Sequence, residues 1–135
     1  MAGASEYASI RPDALPLPAA WVVRNADKAR SIGEREDNLT PEFDVVIAIE
    51  NTRSHEPGDT DDLLLKYRLA VYRQLRGWEI SPDVRPIKYL GGRVIEYTDG
   101  DLYWADRYSF DTVITNYLPD PGQFDSLNNT GGNKL

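Results

Sequence analysis

Apolar residues recur along this chain with two different periods, and the switches between them mark out its elements. The run from Ala19 to Arg24 (AAWVVR) is short, apolar and partly β-branched, and it lies between Pro18 and the polar Asn25-Ala26-Asp27, which predicts a first strand. The charged stretch from Ala26 to Thr40 shows neither period and is expected to be a mobile loop. In EFDVVIAIEN (Glu42 to Asn51), Phe43, Val45, Ile47 and Ile49 alternate on one face, while Val46 and Ala48 leave the other only partly polar. That pattern predicts a strand that is central or covered on both faces. Beyond a polar stretch the period lengthens. Leu64, Tyr67, Val71 and Leu75 fall on one helical face, widened by Leu65, Leu69 and Tyr72, and predict a helix over about residues 61 to 76. Thr60 is the expected N-cap. Asp61 and Asp62 suit the positive end of the helix dipole, and Arg73 and Arg76 suit its negative end. Gly77 is placed for a left-handed cap, with Trp78 folding back over the helix end.

The second half reads as a hairpin. Asp99-Gly100 between two apolar-alternating runs is a strong two-residue turn signal, because a type I′ turn needs positive φ at both central residues. Closure there pairs Tyr97 with Leu102, Glu96 with Tyr103 and Ile95 with Trp104, so Ile95, Tyr97, Leu102 and Trp104 are expected to face the core. Continuing by twos turns Asp106 inward. Two outcomes are open: a bulge between Ala105 and Arg107 that re-aims the carboxylate, or burial with a partner such as the cross-strand Arg93. Gly91-Gly92 suggests a further bend or bulge. The predicted core is Val45, Ile47, Leu64, Tyr67, Val71, Leu75, Trp78, Ile95, Tyr97, Leu102, Trp104 and Phe110. On the outward row, Val94, Glu96, Tyr103, Ala105 and Arg107 form a candidate subunit interface, because apolar residues there leave a patch for another subunit.

Residues 1–18 carry three prolines and no sustained period, and are expected to form an extended arm. Residues 119–135, rich in Gly, Asn and Pro, are expected to be a flexible tail. Between them, residues 19–118 read as a single α+β domain: a mostly antiparallel twisted sheet of about four or five strands, with one main helix packed on one face. A length of 135 residues leaves little room for a second core.

Charge and composition narrow the function. A formal net charge of −7 argues against binding nucleic acid through overall charge, because phosphate contacts need clustered cations. With no cysteine there is no disulfide framework, no thiolate metal site and no thiol nucleophile. Neither a signal peptide nor a membrane-spanning run is expected. The single histidine, His55, lies in a polar loop without a nucleophile motif and reads as solvated. The acids Glu96, Asp99, Asp101 and Asp106 raise the thought of a divalent cation, but turn chemistry accounts for Asp99 and Asp101. Glu42, Asp44 and Glu50 read as the polar edge of an amphipathic strand. Gly91-Gly92 has neither the following Lys-Ser/Thr nor the strand-to-helix context of a phosphate loop. The aromatic residues of the hairpin suit core packing or a protein interface better than base stacking. No catalytic residue, cofactor or metal ligand is assigned.

The order of LPAAWVV, EFDVVIAIENTRS, a helix ending in Leu75-Arg76-Gly77-Trp78, Tyr89-Leu90-Gly91-Gly92-Arg93 and Leu102-Tyr103-Trp104-Ala105-Asp106 with Phe110 resembles the tail terminator (tail completion) family of Mu-like and related long-tailed bacteriophages, over about residues 15 to 115. The resemblance implies an α+β virion protein, not an enzyme. It implies a homo-oligomeric, hexameric ring that caps the tail tube at its head-proximal end, terminates polymerisation and joins the head-side connector. Implied partners are further copies of the chain, the tube protein, the connector protein and, in a contractile tail, the sheath protein. DNA would pass through the ring without specific binding, and assembly would take place in the host cytoplasm. Family members usually open with a helix, which residues 1 to 14 do not suggest, and the stretch beyond Asn116 is longer than the pattern requires. The alternatives are a small metal-dependent hydrolase using the hairpin carboxylates, or a monomeric protein-binding module.

Overall fold

The computed structural model describes residues 16–50, 59–98 and 100–117. Most of the expected N-terminal arm, the C-terminal tail, His55 and the turn residue Asp99 lie outside these residues. The elements run β1 (Ala19–Gly33), β2 (Glu36–Glu50), α1 (Asp59–Leu75), β3 (Lys88–Tyr97), β4 (Asp101–Ser109) and β5 (Thr112–Thr115). Antiparallel pairing gives the sheet order β1-β2-β4-β3, with β5 also paired to β2. One helix on an antiparallel sheet makes this an α+β fold, as the alternation of periods predicts.

β2 is the central strand because both of its faces are apolar. Val45, Ile47 and Ile49 pack under α1 with Leu64, Ile87, Leu102 and Tyr108, while Phe43, Tyr67, Val71, Leu75, Tyr89, Trp104 and Phe110 close round them. On the opposite face Val46 and Ala105 are buried, and Trp21, Val23 and Ile95 pack against them. The even-numbered residues of β4 (Leu102, Trp104, Asp106 and Tyr108) therefore look toward the helix, and Tyr103, Ala105 and Arg107 look away.

β4 and β5 follow one another along the same side of β2. Ser109 pairs with Glu42 and Thr112 with Leu39. The interruption falls opposite Pro41, whose carbonyl accepts from Phe110 N at 3.4 Å but whose nitrogen has no hydrogen to return. Asp111 locks the step, accepting from Lys88 Nζ (2.8 Å), Thr40 Oγ1 (2.5 Å) and Asn38 Nδ2 (3.2 Å). These bonds, with Lys88 first, hold the Asp111 carboxyl down to about 2.

Three expectations are corrected here. The stretch from Ala26 to Thr40 is not a mobile loop: β1 and β2 continue through it in one register from Ala26↔Glu42 to Ser31↔Asp37 and, after a shift of one residue, end at Gly33↔Glu36, as a ribbon with β5 along its start. Its strands extend about 25 Å beyond Asn25, at roughly 3.3 Å per residue. No residue of 26–41 or 112–117 belongs to either buried cluster, so the apolar alternation that betrays a strand was not required there. Second, α1 begins at Asp59, which places Thr60 inside the first turn and not at the cap. Third, Trp78 does not cover the helix end; it is 53% exposed. Gly77 does adopt positive φ (+87°), donating to Ile87 O at 2.9 Å, and Ile87 fills the core beneath the helix end.

The hairpin starts in the expected register, Tyr97↔Leu102 and Glu96↔Tyr103, and then slips. A bulge at Ile95 pairs Val94 with Trp104, and a second at Leu90, beside Gly91 with φ +114°, shifts the pairing by one more residue to Tyr89↔Tyr108. Ile95 consequently belongs to the far face and not to the helix-side core. Tyr97, also expected in the core, is 58% exposed, because α1 does not reach the hairpin end where it lies.

Candidate functional site

The helix side of β4 carries a carboxylate where an apolar side chain would be the default. Asp106 is 1% exposed, and β4 has no bulge at its position to turn it outward. Its cationic partner comes from the helix and not from β3. Arg68 Nε bonds Asp106 Oδ2 at 3.1 Å and Arg68 NH2 bonds Oδ1 at 3.1 Å, a two-pronged arrangement suited to a guanidinium. Tyr89 Oη and Trp104 Nε1 each donate to Oδ1 at 2.9 Å. Arg68 also donates to Tyr89 Oη at 2.9 Å, and its guanidinium carbon lies 4.3 Å from the centre of the Trp104 ring. Burial disfavours the Arg68 cation, but the bonds and field of Asp106 raise its pKa overall. Burial, then Asp106, raises that of Tyr89.

Gly92 makes the cluster possible. A Cβ at that position would sit 2.1 Å from Asp106 Oδ1 and 2.6 Å from Trp104 Nε1, so both side chains occupy space that only glycine leaves. Val94, Gly92 and Tyr89 face Trp104, Asp106 and Tyr108 in turn across the β3–β4 ladder.

The far face carries a second buried carboxylate. Asp44, 0% exposed, accepts from Arg107 Nε at 2.8 Å and NH2 at 3.2 Å, with Arg93 NH2 at 3.6 Å. With its amide oriented to suit the guanidinium, the Asn25 oxygen accepts from Arg107 at 2.9 Å. Arg93 thus serves Asp44 and not Asp106. The strand alternation puts them on opposite faces, since Arg93 pairs with Ala105 while Gly92 pairs with Asp106.

Above the Asp106 cluster lies a pocket of about 180 Å³ lined by Leu65, Arg68, Leu69, Tyr72, Tyr89, Asp106 and Tyr108. Its size suits one inserted side chain better than a cofactor. The buried Tyr108 hydroxyl has no hydrogen-bond partner among the described residues, and burial pushes its pKa up to about 12. On the rim, Leu65 (48%), Leu69 (38%) and Tyr72 (38%) are exposed as a second helical row beside the one that α1 buries.

The expected interface residues divide. Val94 is 44% exposed and Glu96 is exposed, but Ala105 is 0% and Tyr103 7% exposed, and Arg107 is engaged with Asp44. The row of five is therefore not one open patch. Val94 lies on the helix side because of the Ile95 bulge, and Ala105 is buried with Val46. The hairpin acids do not converge either: Asp106 faces the helix and is fully bonded, whereas Glu96 pairs with Tyr103 on the other side. Among the described residues no group of three or more His, Cys, Asp or Glu side chains is placed to hold a metal ion. In the sequence the exposed row Leu65, Leu69 and Tyr72 reads only as a widening of the core face. The signal that it overflows is its breadth, since one helix cannot bury two adjacent rows on a flat sheet.

The blocks joined by this geometry, Tyr89 to Arg93 and Trp104 to Arg107, are widely spaced in sequence yet physically interlocked. The family model described as phage tail terminator protein matches residues 1–118. The chain belongs to the phage tail terminator family. Family membership makes it a structural component of the virion tail. No curated protein matches the chain.

Proposed function

We propose that copies of this chain close into a ring, in the manner expected of Mu-like tails as a hexamer, which sits on the head-proximal end of the tail tube, stops its growth and presents a surface to the head-side connector. The observation that carries this reading is the family match over residues 1–118. A protein that ends a polymer has to match the tube end on one face while offering no further site for tube protein on the other. A ring of identical subunits with a rotation that closes meets this requirement, because no subunit contact is left to propagate.

The acidic balance supports the same reading. A net charge of −7 per chain, repeated round a ring, weakens non-specific attraction for the duplex that has to pass through it. The tube protein, the connector and, in a contractile tail, the sheath are the partners on this account, and the chain works by shape and not by catalysis. The test is genetic and visual. Particles lacking the chain should carry tails of irregular length that fail to join heads, and imaging of wild-type tails should locate it at the head-proximal end. Uniform, joined tails without it would refute the proposal.

A further inference from the structure

Among the described residues two surfaces lack a cover, and each has what the other needs. The first is the helix-side face of the ribbon formed by β1, β2 and β5. The odd-numbered row of β2 runs from Ile49 through Ile47, Val45 and Phe43 under α1, then continues past Pro41 to Leu39, where the buried cluster has ended. There Leu39 pairs with Ala29 and Thr112, and Asp37 with Ser31 and Ile114, so that Leu39, Ala29, Ile114 and Asp37 share a face. Ile114 is 48% exposed. The second surface is the row Leu65, Leu69 and Tyr72 of α1, with its pocket.

We infer that the ribbon of one copy docks, by the face bearing Leu39 and Ile114, onto the exposed α1 row of the next copy, with Ile114 seated in the pocket over Tyr108. This rests on the ring reading above and names the contact that would build it. Helix-on-sheet packing is the contact each chain already makes internally, where Leu64, Tyr67, Val71 and Leu75 cover Val45 and Ile47. The proposed contact repeats it between chains. Charge favours the pairing: the ribbon face carries Asp37 beside Ile114, whereas the α1 row ends with exposed Arg73 and Arg76. The polar detail agrees too. Thr112 lies two residues before Ile114 on the same face, bringing a hydroxyl to a pocket whose Tyr108 hydroxyl lacks a partner among the described residues. The surfaces are different patches of one chain, so the contact is head-to-tail and generates a ring when its rotation closes.

Because the chain has no cysteine, cross-linking reports the contact directly. Full-length Ile114→Cys and Leu69→Cys chains, mixed and mildly oxidised, should form a disulfide-linked pair that neither makes alone, and a chain carrying both substitutions should yield covalent closed oligomers. In parallel, Asp37→Lys should weaken association at least about tenfold by native mass measurement, and adding Arg73→Glu should restore most of it. Both positions are at the surface, and circular dichroism would check that each variant folds. Rings that assemble without the cross-link, or Asp37→Lys rings indistinguishable from wild type, would overturn this contact and leave the ring standing. A wild-type chain that stays monomeric at every concentration, and does not join tails, would overturn both.

Discussion

Gly92→Ala adds a single methyl group, and the structure assigns it a large cost. Gly92 is not in the left-handed region, so alanine meets no backbone strain, and loss of unfolded-chain freedom alone would stabilise the protein by about 0.4–1 kcal/mol. The clash has the opposite sign. At 2.1 Å from Asp106 Oδ1 and 2.6 Å from Trp104 Nε1, the new Cβ has to move a carboxylate held by Arg68, Tyr89 and Trp104. Separating a buried ion pair costs about 3–5 kcal/mol, so a net loss of about 3 kcal/mol is expected. With a urea slope of about 1.5 kcal/mol per M for a domain of this size, the unfolding midpoint should fall by about 2 M. The decisive control is the same change in an Asp106→Ala background, where the displaced group is gone and the extra cost of Gly92→Ala should shrink by at least half. A neutral or stabilising Gly92→Ala, or a cost unchanged by removing Asp106, would refute the argument that Gly92 exists to seat the carboxylate.

Further outcomes follow from the same contacts. The Asp111 carboxyl is depressed from 3.8 to about 2, so its contribution to stability is fully present above about pH 4 and lost as pH falls through 2; Asp111→Asn should flatten that part of the stability–pH curve measured by urea unfolding. Tyr108, raised to about 12, has the reverse window. Its contribution is present below pH 10 and lost between 10 and 12, and the late part of the phenolate absorbance titration should lose the equivalent of one tyrosine in Tyr108→Phe. Because the hydroxyl has no partner among the described residues, Tyr108→Phe should leave the isolated chain as stable as wild type or raise its stability by up to about 1 kcal/mol at neutral pH; a loss above about 1 kcal/mol would show that the hydroxyl is bonded. Arg107→Met should cost about 2–4 kcal/mol by taking the 2.8 Å ion pair from the buried Asp44, and a thermal midpoint equal to wild type would contradict that.

What could be read in advance depended on whether side-chain pattern or backbone geometry decides the element. β2 and α1 were legible because each buries a face, and burial writes its period into the sequence. The ribbon from Ala26 to Gly33 was not, because a strand with both faces in water carries no alternation and is held by ladder hydrogen bonds that any residue can make. The hairpin register was legible for two pairs from its turn and then lost at Ile95, since a bulge inserts one residue without any obligatory residue type. At Leu90 the neighbouring glycine pair did give warning. For Asp106, its inward direction was available from alternation, but its partner was not. Arg93 was the nearest cation along the strands, whereas Arg68 arrives from a helix whose rotation over the sheet is set only by packing. The docking row on α1 was visible as residues and invisible as a surface, because how much of a wide apolar face is covered depends on where the helix lies.

The two acid–arginine sets stand on adjacent strands, back to back, with one sheet thickness between them: Asp44 pairs with Arg107 and Val45 with Asp106 in successive rungs. Substitutions in descendants of this chain should accordingly sort into two groups that drift separately. A change at position 68 would call for an answer at 89, 92, 104 or 106, and a change at 107 for one at 25, 44 or 93, while neither group constrains the other. One side of the sheet can thus be remodelled by evolution, or by an engineer, without disturbing the opposite side.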